Sequence, residues 1–494
     1  MNYIIILLNA TVGLLYTPYM LRMMGQSEYG LYSLVASVIG YLTILDFGFG
    51  NAIIRYTSRY RATNETRKQY SLFGMFLVLY TVIGVIAAIA GFALYLNTEN
   101  LFGATMTGDE IEKAKIMMLI LTFNLAITFP FSIFGSIITA YEDFVFQKII
   151  QIIRIVLNTV VMIALLHYGY KAVAMVVVQT VFNVFTLFIN LFYCKYKIQI
   201  KFIFEKFDWS LLKEIAIYSF WIFLNAIMDK VYWNTGQFVL GAISGTIAVS
   251  VFSVGIHLQS MYMTFSTAIS SVFLPRVSIM VAQEKSNKEI SDLFIKTGRI
   301  QFLIMSLILC GFIVFGRQFM TIWAGEEYED SFVITLMFFV ALFVPLIQNM
   351  GITILQARNE MKFRSLLYLV IAVISLAGQI VLSKYYGAVG CSISIALALL
   401  IGQGFIMNIY YKNKQKIDII DFWNQILKMS IAPAIFTVAS VYILKSINMS
   451  SLWILLLCMF LYGVVFCVVL WMFSMSKYER NLIKEPLTRI FHNK

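Results

Sequence analysis

The chain has 494 residues, of which 60% are hydrophobic and 13% charged, with a mean hydropathy of +0.83. Soluble domains run about 45–50% apolar and about 25% charged, so this chain carries too little charge to cover a water-facing surface, and its main solvent is lipid. The formal charge of +12 does not point to nucleic acid, because the basic residues lie in short runs between apolar segments and never form a face interleaved with aromatics.

A helix crossing the hydrocarbon needs about 20 apolar residues, and on that measure about fourteen transmembrane helices follow one another in an all-α integral membrane protein. The chain is apolar directly after Asn2 and shows no charged n-region or small-residue cleavage site, so 3–21 reads as a retained first span. Spans two to six cover 30–54, 71–96, 115–140, 149–167 and 172–194. Spans seven to twelve cover 212–234, 247–273, 298–316, 332–354, 366–383 and 388–411, and a final pair covers 426–445 and 452–474.

Alternate loops hold 27 of the 37 lysines and arginines and the opposite set holds 7. That asymmetry places both termini in the cytoplasm. The longest external segments, 97–114 and 317–331, carry acids and are too short for a soluble catalytic domain. A membrane glycosyltransferase or polysaccharide polymerase is therefore disfavoured. Shifting the chain by 220 residues lays Gly25, Tyr32 and Ser33 on Gly245, Phe252 and Ser253. With the helix count, this suggests a six-helix lobe over 1–210, a second over 211–411, and two further helices with a tail over 412–494, as in transporters built from repeats.

Polar side chains in a bilayer are costly and face a bundle interior or an aqueous cavity. Asp46 in span two lies about nine residues before Arg55, hence ~13 Å deeper along a helix. It is the candidate for proton or sodium coupling, with a structural hydrogen bond as the alternative. Arg154 in span five suits a phosphate, although it lies close enough to Lys148 to snorkel. Span six offers Gln179, Asn183, Thr186 and Asn190 on one face. Span seven carries Tyr218, Trp221, Asn225, Asp229 and Tyr232, a mixture that suits sugar rings. The hydroxyls of span eight, from Ser250 to Ser271, form one stripe that serves either close packing or a cavity wall, and His257 among them is too large for a small-residue seam. The substrate-binding candidates are thus Arg154, Asn183, Asn225, Asp229, Tyr232 and His257. Five scattered cysteines without a CxxC indicate neither a metal site nor disulfides, and no cofactor is implied. There is no P-loop, HExxH or nucleophile elbow, so the chain is not read as an enzyme or as an ATP-driven pump.

The run Pro18, Arg22, Gly25, Glu28, Tyr29, Gly30 and Tyr32 resembles the opening of bacterial polysaccharide flippases, as does Leu45-Asp46-Phe47-Gly48-Phe49-Gly50 followed by Arg55-Tyr56. Leu274-Pro275-Arg276, Trp323-Ala324-Gly325, Pro345 with Gln348-Asn349, and Phe363-Arg364 extend the likeness over nearly the whole chain. These flippases belong to the multidrug/oligosaccharidyl-lipid/polysaccharide export superfamily. The resemblance implies two six-helix lobes plus a helix pair, working by alternating access in a bacterial plasma membrane. It implies an undecaprenyl-pyrophosphate-linked oligosaccharide as substrate, for O-antigen, capsule or exopolysaccharide. Without a nucleotide-binding motif, movement is coupled to an ion gradient, of H+ or Na+, or runs down the substrate's own gradient; the membrane lipids and the polysaccharide polymerase machinery are the expected partners. Two departures stand out: the polar stretch that relatives carry before span one is absent, and Gly236 stands where many relatives have Asp. The alternatives are a lipid II flippase or an ion-coupled drug exporter of the same superfamily, though drug exporters have twelve helices.

The charge asymmetry carries a direct expectation. In a background lacking the native cysteines, Ser286→Cys reacts with an impermeant thiol reagent only after the membrane is opened; reaction in intact cells would invert the orientation.

Overall fold

The computed structural model describes residues 2–205, 208–445, 447, 449 and 451–492, and the described chain is helical between short turns. That is the solution lipid imposes, since a helix pairs its backbone groups internally. Among the described residues, twelve segments are long and apolar enough to cross a membrane. The chain forms two compact units, residues 1–253 with 383–388 and residues 254–382 with 389–494.

The first unit comprises α1 (Asn2–Met24), α2 (Gln26–Leu42), α3 (Phe49–Ala62), α4 (Thr66–Phe102), α5 (Gly108–Ala140), α6 (Phe144–His167), α7 (Ala172–Tyr193), α8 (Trp209–Trp233), α9 (Thr235–Ile243) and the start of α10 (Gly245–Ser271). Its frame is the α4–α5 hairpin. A Cβ on Gly84 would come within 2.6 Å of the Ala126 carbonyl oxygen, and one on Gly91 within 2.2 Å of the Thr122 hydroxyl. Small residues bring the two backbones together where hydrophobicity alone gives lipid-immersed helices no reason to associate. Helix α8 follows the α2–α3 segment in the opposite direction: Lys230 approaches Gly40, the Phe223 ring lies 4.7 Å from that of Phe47, and Glu214 accepts from the Tyr56 hydroxyl at 2.8 Å. Asp208 caps α8, and the Leu211 N–H it accepts holds its carboxyl below the usual range.

Span two, expected as a continuous helix over 30–54, is broken. A 3-10 turn occupies Thr43–Asp46, after which Phe47 (φ 52°) and Gly48 (φ 73°) are left-handed and α3 begins. Glycine takes that conformation without a Cβ clash.

The second unit holds the rest of α10, α11 (Leu274–Ala282), α12 (Asn287–Trp323), α13 (Asp330–Ile347), α14 (Met350–Ala357), α15 (Lys362–Leu399), α16 (Met407–Asn413), α17 (Ile419–Leu444), α18 (Leu452–Val469) and α19 (Lys477–His492). The expected span 332–354 is interrupted at Gln348 and Asn349, between α13 and α14. The carbonyls freed there are taken up by side chains. Ser266 Oγ donates to Leu346 O at 2.8 Å, and the Gln301 amide, correctly oriented, donates to Leu346 O and Ile347 O at 3.1 and 3.0 Å. The expected spans 366–383 and 388–411 fall within one 52-residue stretch, Lys362–Asn413, interrupted at Gly387 with φ 52° and ψ −133°.

Helix α18 packs on α12 through Phe315, Tyr462 and Phe466. Arg299 of α12 then ties down the last helix: its Nε and Nη2 donate to the two Glu479 oxygens at 2.6 and 2.9 Å, and Nη2 also reaches Ser474 O. The Glu479 side chain is 2% exposed and that of Arg299 11%. Burial alone would raise the Glu479 carboxyl, but Arg299 and Ser476 outweigh it and hold it below its usual range. Its contribution to stability is therefore complete above about pH 4.3, the unfolded value, and is lost as pH falls through the folded value. Glu479→Gln leaves a buried guanidinium without its counter-charge, a change that costs about 3–5 kcal/mol. Thermal unfolding should show a lower Tm for the variant at neutral pH, with the gap to wild type closing below about pH 4.

Candidate functional site

Helix α6 is apolar over most of its surface, yet Gln147, Lys148, Gln151, Arg154 and Asn158 recur at three- and four-residue steps. That spacing gathers them on one face. Together with Asn9 of α1 and Thr186 and Asn190 of α7, they line a cleft of about 580 Å³. Arg154 is half-buried within it. Among the described residues, no carboxylate stands within ion-pair distance of Arg154, and neither Arg154, Lys148, Asn9, Gln151 nor Asn190 has a hydrogen-bond partner. The Asn158 carbonyl oxygen is buried and likewise unpaired. Gln147 is the exception: its amide donates to Gly135 O at 2.7 Å and accepts from Thr139.

A fixed positive charge in low dielectric, without a counter-charge, is stabilised by an anionic ligand, and a guanidinium offers planar paired donors to phosphate oxygens. The surrounding amides both donate and accept, as sugar hydroxyls require. The cleft is therefore suited to an anionic headgroup carrying polar rings.

Asn183, one turn from Thr186 on α7, serves a different purpose. Its amide nitrogen donates to Asn124 Oδ1 and Thr128 Oγ1 of α5 at 2.7 and 2.8 Å, so it clasps two helices. Asp46 lies at the break in span two, where the Tyr80 hydroxyl of α4 donates to its Oδ1 at 2.7 Å. The bond ties the middle of α4 to the bend of span two.

The α8 stripe divides. Asp229 is exposed, Tyr232 is 1% exposed, and the side chains of Asn225, Tyr218 and Trp221 lie outside the described residues. His257 belongs to the second unit, where its ring stacks at 14° on Trp323 with centroids 6.5 Å apart. Thr264, Thr267 and Ser271 donate to carbonyls of their own helix, the back-bonding that satisfies a hydroxyl within a helix. Of the six candidates whose side chains are described, the cleft takes in Arg154 alone. Asn9, Gln151 and Asn158 were missed, although the polar period along α6 was there to be counted; nothing in the sequence singled out Tyr80.

If the cleft admits water, an impermeant thiol reagent should modify Gln151→Cys and Asn158→Cys in opened membranes, while Met162→Cys, buried one turn further along α6, stays unmodified. Absence of reaction at both cleft positions would show a dry seam and remove the site.

Comparison with known proteins gives these features a setting. The profile of the family described as "Polysaccharide biosynthesis protein" matches residues 1–281. A protein of Shigella flexneri named "Putative O-antigen transporter" is 21% identical over 386 residues, 78% of this chain and 90% of that protein. Among solved structures, lipid II flippase MurJ in an inward closed conformation aligns over 98% of both chains with a TM-score of 0.68 at 16% identity. An inward-facing multidrug resistance MATE family transporter aligns over 82% of this chain and 99% of its own, with a TM-score of 0.64 at 15% identity. The fold is thus that of the MurJ and MATE transporters, and the chain belongs to the polysaccharide biosynthesis protein family, multi-pass membrane transporters of the multidrug/oligosaccharidyl-lipid/polysaccharide export superfamily.

Proposed function

We propose that this transporter is a flippase that moves undecaprenyl-pyrophosphate-linked oligosaccharide repeat units across the bacterial plasma membrane, by alternating access, for O-antigen, capsule or exopolysaccharide synthesis. The observation that carries the reading is Arg154, half-buried, without a carboxylate partner and surrounded by amides in the cleft of α1, α6 and α7. The diphosphate would lie on Arg154 and Lys148, and the first sugars would meet Asn9, Gln151, Asn158 and Asn190. Membership of a polysaccharide-biosynthesis family supports a glycan cargo.

Taking the stretch Lys362–Asn413 as two crossings at Gly387, and adding α8, turns the twelve apolar segments into fourteen. We assign these to two six-helix lobes and a final pair, with both termini in the cytoplasm. The likeness to MurJ and MATE structures keeps a lipid II flippase and a drug exporter as comparisons. A cationic cleft favours a lipid diphosphate over a cationic drug, which would seek acidic walls.

Removing charge-assisted hydrogen bonds worth about 1.5–3 kcal/mol should weaken headgroup capture roughly tenfold or more. Arg154→Ala should lose binding of farnesyl diphosphate by the purified protein and lose polymer output in a deletion strain, at unchanged expression. Arg154→Lys keeps charge without the fork and should be intermediate in both. Full polymer output from Arg154→Ala would send the headgroup site elsewhere. Complementation of a lipid II flippase deletion, with no effect on surface polysaccharide, would reassign the cargo.

A further inference from the structure

The three helices that wall the cleft share a feature of composition. Neither α1 over Asn2–Met24, α6 over Phe144–His167 nor α7 over Ala172–Tyr193 contains an Asp or a Glu. All the lining residues come from these helices, and the two charges among them, Lys148 and Arg154, are both positive. Glu142 and Asp143, in the turn before α6, do not line the cleft, and Asp143 stands roughly 16 Å along the helix from Arg154. Other acids of the first unit are engaged on other helices. Glu28 receives Lys113 Nζ at 2.7 Å, Asp46 the Tyr80 hydroxyl at 2.7 Å and Glu214 the Tyr56 hydroxyl at 2.8 Å.

This donor set discriminates between two forms of a diphosphate. In water a diphosphate binds Mg2+, and proteins that accept the complex hold the ion through carboxylates alongside the phosphate oxygens. Among the described residues, the cleft offers the ion no such ligand. The amide oxygens of Asn9, Gln151 and Asn190 stand among two fixed positive charges, which repel a dication. Charge balance points the same way. A diphosphate esterified at both ends carries one negative charge on each phosphate, and Arg154 and Lys148 supply the two opposing charges. Adding Mg2+ to that set leaves two positive charges uncompensated in a low-dielectric site, which is costly.

Resting on the cleft as the headgroup site, we infer that it takes its lipid diphosphate as the bare anion, free of Mg2+, with Arg154 and Lys148 in the place of the metal. The guanidinium offers parallel N–H groups to phosphate oxygens, and the lysine ammonium adds a mobile point charge. An ion carried by the headgroup in water has to be shed there before the headgroup enters. Mg2+ is therefore an antagonist of binding and not a helper of it.

Binding of farnesyl diphosphate to the purified full-length protein provides the test. Its terminal phosphate makes it a stronger Mg2+ ligand than a doubly esterified diphosphate, so the effect is read near its largest. One titration contains a chelator and the other Mg2+, with ionic strength matched by NaCl because salt screens exposed charges. With Mg2+ at about ten times the concentration that half-complexes the probe, apparent affinity should fall about tenfold, in proportion to the free anion. Gln151 is exposed on α6, one turn from Arg154, so Gln151→Glu adds a carboxylate to the cleft without disturbing packing. In that variant the fall caused by Mg2+ should shrink, since the ion then has a ligand. Wild-type binding that is equal or tighter in Mg2+, or an equal fall in Gln151→Glu, would overturn the inference and leave the cleft as the headgroup site. No wild-type binding in chelator, or full binding by Arg154→Ala, would remove the headgroup site itself and this inference with it.

Discussion

Inside a bilayer no water is available to a backbone N–H or C=O, and each group left unpaired costs several kcal/mol. This constraint governs the whole molecule. It makes the described chain a succession of helices, and it makes every departure from helix an event that needs named partners. At the break between α13 and α14 the partners are Ser266 and Gln301, which cover the carbonyls of Leu346 and Ile347. At the break after Asp46, the Tyr80 hydroxyl of α4 donates to the Asp46 carboxylate. Both of these breaks are accordingly met by side chains from neighbouring helices.

The same constraint explains why the cleft of α1, α6 and α7 stands out. Most polar side chains in the apolar segments are consumed internally: Asn183 by α5, Gln147 by Gly135 and Thr139, and Asn408 by Gln348 and Trp423. The side chains of Arg154, Asn9, Gln151 and Asn190 are not. Polar groups carried into lipid without an internal partner have a use outside the chain. Helix α5 also touches both regions of interest. Asn124 and Thr128 hold α7, and one turn further on Ser132 approaches the Tyr80 hydroxyl bonded to Asp46.

The long helices were legible because their signal, some twenty apolar residues between charged loops, is a direct image of bilayer thickness. Arg154 and Asp46 were legible because a charge in such a segment is conspicuous. What stayed hidden depended on three-dimensional partnership. Gly48 and Gly387 sit in apolar sequence that reads as continuous helix, and only the fold makes them turns. Asn183 and the hydroxyls of Thr264, Thr267 and Ser271 lie on polar stripes by periodicity, yet their bonds go to α5 and to their own helix. The amides of α6 obeyed the same period as the stripes that were noticed, and were overlooked beside the more visible arginine.

The bond between Arg299 and Glu479 has a consequence for how the protein is made. The two residues are 180 positions apart, and the other groups on the guanidinium, Gln425 and Ser474, also come late in the chain. At about 5–20 residues per second of synthesis, α12 waits roughly ten to forty seconds before its counter-charge exists. During that interval the arginine must remain at the water boundary, and α12 cannot take its final seat. The bond that seats α12 in the second unit can form only once α19 has been made, whereas all residues of the first unit except the short segment 383–388 are already in place by residue 253.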